Sequence, residues 1–362
     1  MNTVCSSNPY NIGCSDFFLN EQKIVGRTLD FPTPLLSNLE KRPRGETFTA
    51  YAPNGQESFS WTSEFGFVGF TAFGDDNQGK NVMEGMNEKG LKISLLTLSA
   101  TTYQTVPEGE MDRALGVSDM TVWLLGTCQN IDEVKAALQS VYVWADTVPP
   151  FPETPLQHIS IHDNTGASLV VEYVDGELNL YNNEVHMLTN DPVYPKQLEN
   201  LRKYQYLNIS YQSGQSCGSG MIGLPGDYTE QSRFVRGAKL LEFADVDSQN
   251  PINTALTILG TLDVPKGVKL ASPNNNEDYD CTRWRTVTDI GNLVLYYSTI
   301  KDPTWYSVDL NQLDFSEGTE YQKFPIYKKQ SDRPWAVSVN DKFQAAVDSN
   351  KSMFTRMVNY VW

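Results

Sequence analysis

A cysteine, an arginine and an aspartate near the start of the chain have the residue types and spacing of a nucleophile site. Cys14 and Arg27 belong to two apolar runs separated by a polar turn at Asn20, which predicts a β-hairpin. A tight two-residue turn would place Cys14 and Arg27 on one face of the hairpin, within reach of each other. The guanidinium would then favour the thiolate, the reactive form of cysteine. Asp30, just after the second strand, could hold an amine or orient the sulfur.

The same hairpin has an interpretation without chemistry. In that case Asp16 and Arg27 form an ion pair at the surface, and Cys14 is merely half-buried. The hairpin alone leaves both interpretations open.

The bulk composition narrows the class of protein. The chain has 362 residues, of which 40% are hydrophobic and 20% charged, so it can bury a large core and is globular in composition. Its formal charge of −16 argues against nucleic acid or an anionic membrane as the main partner, because both require a basic surface. The negative charge does not argue against a small-molecule substrate.

The sequence shows no targeting or membrane segment. No apolar run approaches the length of a membrane span, and the first residues lack the basic and apolar regions of a secretory signal. The modest lysine content and abundant Asn, Gln, Tyr and Ser favour a periplasmic or secreted location, with the cytoplasm as the alternative.

The cysteines and histidines do not suggest a metal site. The five cysteines are odd in number and have no paired CxxC spacing, although Cys217 and Cys281 could form one bridge in an oxidising compartment. His158 and His162 fall in an alternating segment, which predicts a strand with both rings on one half-exposed face. We therefore predict no metal ligands.

The order of elements predicts one domain with sheets between helical layers. Strands come first, then two helices, a three-stranded meander over residues 156–182, further helices, and strands again. The predicted helix starts are Ser118, Asn130, Pro195, Thr229 and Asn253. From residue 317 the chain is polar and aromatic, then weakly helical.

Several separated segments together resemble the choloylglycine hydrolases and penicillin V acylases, which are N-terminal nucleophile (Ntn) hydrolases. The resemblance covers roughly residues 14 to 315. The matching segments are Cys14-Ser15-Asp16-Phe17, Gly26-Arg27-Thr28-Leu29-Asp30-Phe31, Phe65-Gly66-Phe67-Val68-Gly69, Gly85-Met86-Asn87-Glu88-Lys89-Gly90-Leu91, Leu188-Thr189-Asn190-Asp191-Pro192 with Gln197-Leu198 and Asn200-Leu201, and Leu224-Pro225-Gly226-Asp227 with Ser232-Arg233-Phe234-Val235-Arg236.

The resemblance implies an α+β fold, a four-layer αββα sandwich of two mainly antiparallel sheets between helical layers. It divides the chain into a leader (1–13), an Ntn-hydrolase domain (14–318) and a C-terminal extension (319–362) packed on the same domain. It also implies cleavage between Gly13 and Cys14. The free α-amine of Cys14, whose pKa is near neutrality, would then act as base for the thiol.

The resemblance carries over a role to each matching residue. Arg27 would lower the pKa of the amine and the thiol, and Asp30 would bind both groups. Asn190 would donate its side-chain amide to the oxyanion, helped by a backbone N–H near Thr97. Arg233 would stabilise the charged site. The sequence departs from the family at Thr97, where Asn or Tyr is usual, and in a shorter turn after Leu19.

The implied activity is that of a cysteine amidohydrolase acting on linear amides of small N-acyl compounds. Family substrates include penicillin V, conjugated bile salts and N-acyl homoserine lactones. The apolar segments 32–39 and 65–73 could shape an acyl pocket. No metal or organic cofactor is implied, and self-association is common in the family. The alternative is a non-catalytic binding protein that keeps its leader.

Overall fold

The computed structural model describes residues 13–72, 82–147, 154–210, 218–272 and 275–327. These residues belong to one compact unit, which ends at Lys328. The predictions for residues 1–12, for Cys217 and for the helical tail after residue 340 lie outside the described residues.

The first of two large sheets has six strands, and every neighbouring pair in it is antiparallel. With strands numbered in chain order, the spatial order is β14-β1-β2-β17-β18-β19. The strands are β1 (Gly13–Leu19), β2 (Ile24–Asp30), β14 (Met187–Leu188), β17 (Thr282–Asp289), β18 (Val294–Thr299) and β19 (Asp302–Asp309).

The second large sheet has eight strands and is also antiparallel throughout. Its order is β13-β12-β11-β8-β7-β6-β3-β20. The strands are β3 (Asn38–Arg42), β6 (Phe67–Thr71), β7 (Val82–Asn87), β8 (Lys92–Thr97), β11 (Gln157–His162), β12 (Ser168–Val174), β13 (Glu177–Asn182) and β20 (Gln322–Pro325). β20 lies in the segment that was predicted to form an extension, and it pairs with β3 at the edge of this sheet.

The remaining strands form smaller two-stranded pairs. These are β4 (Thr47–Tyr51) with β5 (Glu57–Thr62), β9 (Ala114–Gly116) with β10 (Tyr142–Trp144), and β15 (Leu270–Ser272) with β16 (Asn275–Tyr279).

Helices cover the outer faces of the two large sheets. They are α1 (Val117–Thr127), α2 (Ile131–Ser140), α3 (Tyr194–Arg202), α4 (Glu230–Phe243) and α5 (Pro251–Leu262). α1 packs on β7 and β8 of the eight-stranded sheet, whereas α4 packs on β1 and α5 on β2 and β17 of the six-stranded sheet. β1 also contacts β8 across the space between the sheets. This arrangement confirms the predicted αββα sandwich.

Two of the predicted helix caps are correct and two are wrong. The side chains of Asn130 and Thr229 accept hydrogen bonds from backbone N–H groups in the first turns of α2 and α4. Ser118 and Asn253 instead lie inside α1 and α5, because both helices start earlier. α5 begins at Pro251, whose fixed φ suits the first helical position.

The β1–β2 hairpin differs from the prediction in its turn but not in the face that Cys14 presents. Residues 20–23 form a four-residue connection, and the register pairs Cys14 with Leu29 and Asp16 with Arg27. Cys14 and Arg27 are thus diagonal neighbours on one face. Every residue of both strands is buried, since helices lie on one side and the second sheet on the other. The surface hairpin of the alternative interpretation is wrong.

Gly26 gives a test of how tightly this hairpin is packed. A Cβ at Gly26 would lie 2.2 Å from Cζ of Phe17, which is buried on the facing strand. Gly26→Ala should therefore lower the free energy of unfolding by about 1–3 kcal/mol through overpacking. Urea unfolding would measure the loss. Gly109→Ala, where a Cβ meets nothing within 4 Å, is the matched control and should be neutral. Equal midpoints for the two variants would contradict the packing argument.

Candidate active site

The Cys14 side chain lies between the two sheets, directly beside a buried guanidinium. Cys14 and Arg27 both have 0% exposure, and Nη2 of Arg27 is 3.7 Å from Sγ of Cys14. Asp30 is also close enough to affect the pKa of the Cys14 thiol. The hairpin therefore brings the predicted nucleophile, its cation and Asp30 together.

Arg27 is held in place by the eight-stranded sheet that faces it. Its Nη1 donates to the carbonyl of Met83 at 2.7 Å and to Oε2 of Glu84 at 3.2 Å, and its Nη2 donates to the carbonyl of Leu95. The guanidinium also lies over the Trp284 ring, 5.2 Å from its centroid. These contacts fix the direction of the Nη2 group that reaches the sulfur.

Glu84 and Lys92 extend this network, and the sequence analysis missed both. Nζ of Lys92 is 2.6 Å from Oε1 of Glu84, and the Thr286 hydroxyl donates to the same oxygen at 2.6 Å. Glu84 and Lys92 each have 0% exposure, so the carboxylate is paired with two buried cations, Arg27 and Lys92. A charged residue within an apolar strand is the only signal for this pairing in the sequence.

Burial changes the expected state of the thiol. It raises the pKa of Cys14 to about 11, and the Arg27 guanidinium offsets only part of this effect. Arg27 lowers the pKa of the Cys14 thiol, as expected, but the opposite effect of burial is larger. With its peptide bond to Gly13 intact, Cys14 therefore carries a neutral thiol at pH 7.

Asp30 lies at the end of β2 beside the predicted cleavage point. Its Oδ1 accepts from the Thr282 hydroxyl at 2.6 Å, and its Oδ2 is 3.6 Å from Nη1 of Arg233. Burial raises the pKa of Asp30 to about 6; Arg233 opposes that shift and Asp280 adds to it. A buried carboxyl with a pKa near neutrality is suited to proton transfer.

Asn190 contacts the backbone nitrogen of Cys14. Its Oδ1 accepts from the backbone N–H of Cys14 at 2.8 Å and from Nη2 of Arg233 at 3.0 Å. Its Nδ2 donates to the carbonyl of Thr97 at 3.0 Å. Asn190 is thus oriented by β8 and α4 at once, with its oxygen directed at the nitrogen of Cys14.

Arg233 and Thr97 complete the predicted set. Nη1 of Arg233 donates to the carbonyl of Cys14 and to the Ser15 hydroxyl, both at 2.6 Å. Thr97 has 3% exposure, and its Oγ1 has no hydrogen-bond partner among the described residues. A buried hydroxyl without a partner can donate to a group that comes within its reach.

The prediction that the two strand histidines share a half-exposed face is wrong. His158 and His162 both have 0% exposure, because β11 lies in the middle of the eight-stranded sheet. Each ring contacts a buried carboxylate, His158 that of Glu172 at 3.1 Å and His162 that of Asp16 at 2.7 Å. In the part of the chain that the structure describes, no cluster of His, Cys, Asp and Glu could hold a metal ion.

The other cysteines described are free thiols. Cys128 and Cys281 are buried and unbridged, and Cys217 lies outside the described residues. In the same described ranges, no helix combines the length and apolarity needed to cross a bilayer.

Comparison with known proteins places this geometry in a family. Residues 14–324 match the model of the linear amide C–N hydrolases of the choloylglycine hydrolase family. A bile salt hydrolase/transferase of Clostridium perfringens is 26% identical over 283 residues, which are 75% of this chain and 84% of the relative. A penicillin V acylase of Pectobacterium atrosepticum is 27% identical over 327 residues, 85% of this chain and 82% of the relative.

The fold has matching solved structures. A mutant conjugated bile acid hydrolase from Clostridium perfringens superposes with a TM-score of 0.75 at 24% identity, covering 89% of this chain and 99% of the other. A penicillin V acylase from Agrobacterium tumefaciens gives a TM-score of 0.70 at 24% identity, covering 86% of this chain and 91% of the other.

Asp16 gives a test of the buried polar contacts around the site. Burial alone would raise its pKa, but His162, Lys92 and Ser160 lower it to about 2. A depressed folded-state pKa means that the ionised carboxylate adds stability above pH 4, which is lost as the pH falls toward 2.

Asp16→Asn should therefore lower the free energy of unfolding at pH 7 by at least about 2–3 kcal/mol. The gap to wild type should narrow as the pH falls below 4. Urea unfolding at several pH values would measure this. Glu177→Gln, at an exposed position on β13, should match wild type at every pH. A gap that stays constant with pH would contradict the assignment.

Proposed function

Because the chain belongs to the choloylglycine hydrolase family of linear amide C–N hydrolases, we propose that it hydrolyses small N-acyl amides with Cys14 as nucleophile. One observation carries this proposal. The sulfur of Cys14 lies at a fixed guanidinium while the nitrogen of the same residue lies on Oδ1 of Asn190. The nucleophile and its future base are thus already held in one buried site.

Exposure of the α-amine is the first step of the proposed mechanism. The sulfur attacks the carbonyl carbon of Gly13, the C–N bond to Cys14 breaks, and the thiol proton reaches the departing nitrogen by way of the Asp30 carboxylate. Water then hydrolyses the Gly13 thioester, which releases the leader as a carboxylic acid and returns a proton to the sulfur. Cys14 has no exposed surface while residue 13 is attached, so this step would also give a substrate access.

The α-amine of Cys14 then acts as the base for its own thiol. It accepts the thiol proton, and the thiolate attacks the amide carbon of the substrate. The tetrahedral oxyanion receives hydrogen bonds, for which the candidates are the Asn190 amide, a backbone N–H near Thr97 and the Thr97 hydroxyl. Collapse breaks the C–N bond, and the amine leaves with the proton from the α-ammonium. Water finally cleaves the thioester, giving the free acid.

The two apolar segments that were predicted to shape an acyl pocket, 32–39 and 65–73, differ in exposure. Phe67 and Phe70 have 0% exposure in the chain that keeps residue 13, and Phe70 stacks on Trp284 in the core. In segment 32–39, Leu36 is 65% exposed. We therefore propose an acyl half that contacts Leu36, as the aromatic group of penicillin V or the steroid of a conjugated bile salt could.

Leader release and hydrolysis should both depend on Cys14. After long incubation the wild-type mass should correspond to a chain that starts at Cys14, whereas Cys14→Ala should keep residues 1–13. The matured protein should release free acid from at least one of penicillin V, a glycine-conjugated bile salt and an N-acyl homoserine lactone.

Cys128→Ala, which replaces a buried thiol outside the site, is the matched control and should mature normally. If wild type kept its full mass and was inactive on the panel, the non-catalytic binding protein that retains its leader would be the better interpretation.

The Thr97 hydroxyl gives a second test. If it donates to the oxyanion, Thr97→Val should lower kcat by about 100- to 1000-fold, because one oxyanion donor contributes about that much. Thr97→Ser keeps the hydroxyl and should retain most of the activity. Steady-state kinetics of the matured protein would measure both variants, and equal kcat values for them would show that Thr97 only packs.

A further inference from the structure

Asp280 lies against the predicted cleavage point, and neither the sequence analysis nor the mechanism above uses it. It follows β16, has 1% exposure, and its Oδ2 is 2.8 Å from Nζ of Lys269. A Cβ added to Gly13 would lie 2.5 Å from the same oxygen and 3.0 Å from Cβ of Asp30. The two carboxylates therefore flank the residue whose bond to Cys14 is to be cleaved.

Each of these carboxylates has an oxygen without a hydrogen bond. Oδ1 of Asp280 and Oδ2 of Asp30 are buried and accept none from the described residues. Burial of an unsatisfied charged oxygen is costly, so both oxygens need a donor. Both carboxyl groups belong to residues that lie close to Gly13, and removal of residue 13 leaves space there for the new α-amine of Cys14.

The local charge count agrees with this need. Among the described residues, the ion pairs of Asp30, Asp280 and Glu230 involve two cations, Arg233 and Lys269. The cluster thus holds three acidic groups and two basic groups, and one further cation would balance it. An ammonium has three N–H donors and one positive charge, which matches the charge and the two oxygens that accept no hydrogen bond.

We propose that Asp280 is a positioning residue that admits only glycine before Cys14 and then, with Asp30, forms the binding site of the Cys14 ammonium. The proposal rests on the proposed leader removal and goes beyond it, since it assigns a site for the proton-carrying form of the base. When the amine takes the thiol proton, Asp280 stabilises the resulting ammonium, directly or through one water, and so favours the thiolate. Lys269 holds the Asp280 carboxylate in place.

The first experiment follows leader release in the full-length chain by intact mass. Gly13→Ala should slow release at least about tenfold, because its Cβ collides with Asp280. The same change should have a much smaller effect in an Asp280→Ala background, where only the 3.0 Å approach to Cβ of Asp30 remains. An equal effect of Gly13→Ala in both backgrounds would overturn the steric part of the proposal.

The second experiment measures thiolate formation in the matured protein. Asp280→Asn keeps the shape and removes the charge. It should slow iodoacetamide alkylation of Cys14 at pH 7 by about fivefold to tenfold, since loss of one stabilising charge contact shifts an ionisation by roughly one pKa unit. Asp280→Glu keeps the negative charge that Asp280→Asn removes. Its Cys14 should therefore be alkylated faster than that of Asp280→Asn. Asp175→Asn, in an exposed turn, is the matched control and should equal wild type.

The outcomes separate this inference from the proposed function. If wild type matures and hydrolyses amides while Asp280→Asn alkylates at the wild-type rate, only the role of Asp280 is overturned. If wild type never releases its leader, the proposed function fails and no terminal ammonium exists for Asp280 to bind, so both are overturned.

Discussion

The site depends on one buried guanidinium, that of Arg27. Its charge is compensated by Glu84 across the sandwich, and its remaining donors are bound by backbone carbonyls of the facing sheet. An unpaired charge at this depth would strongly destabilise the fold, so the position of Arg27 requires both sheets to be in register. Cys14 depends on that alignment for the cation beside its sulfur.

The polar groups between the sheets form two neighbouring clusters with different charge balance. In the cluster around Arg27, Glu84 and Asp16 accompany the cations Arg27 and Lys92, so the ionised groups balance. The cluster around Asp30 has an excess of one carboxylate among the described groups. Cys14 lies between them, with its sulfur toward the balanced cluster and its nitrogen toward Asn190, whose oxygen also binds Arg233. In the proposed mechanism, this division would let one residue carry a thiolate and an ammonium in different surroundings.

Local sequence signals predicted the elements well but not the pairing of charges. The hairpin, the meander and the caps at Asn130 and Thr229 follow from alternation and turn or cap residues that lie close together in the chain. The network of Glu84 and Lys92 could not be predicted, because its members come from strands that meet only in the folded sandwich. For the same reason His158 and His162 were predicted to be half-exposed: alternation marks a strand, whereas the sheet neighbours decide which faces are covered.

The strands β3 and β20 were missed for a related reason. β3 follows a proline-rich segment and carries charged residues, whereas β20 is short and polar. Neither has the apolar alternation that predicts a strand; β3 is defined by its pairing with β6 and β20, and β20 by its pairing with β3. Family resemblance, in contrast, predicted the layer order, because matching segments spread along the chain constrain the whole topology at once.

The strand order also has a consequence for how the chain folds. β2 pairs with β17 and β3 pairs with β20, so segments synthesised first wait for partners that are synthesised nearly last. Contacts this distant in sequence slow folding, because a long loop must close before they form. On the ribosome the hairpin that carries Cys14 therefore lacks β17, one of its two neighbouring strands, until most of the described chain has emerged. The surroundings of Cys14 are for this reason completed late in synthesis, and the thiol stays in an unfinished environment until then.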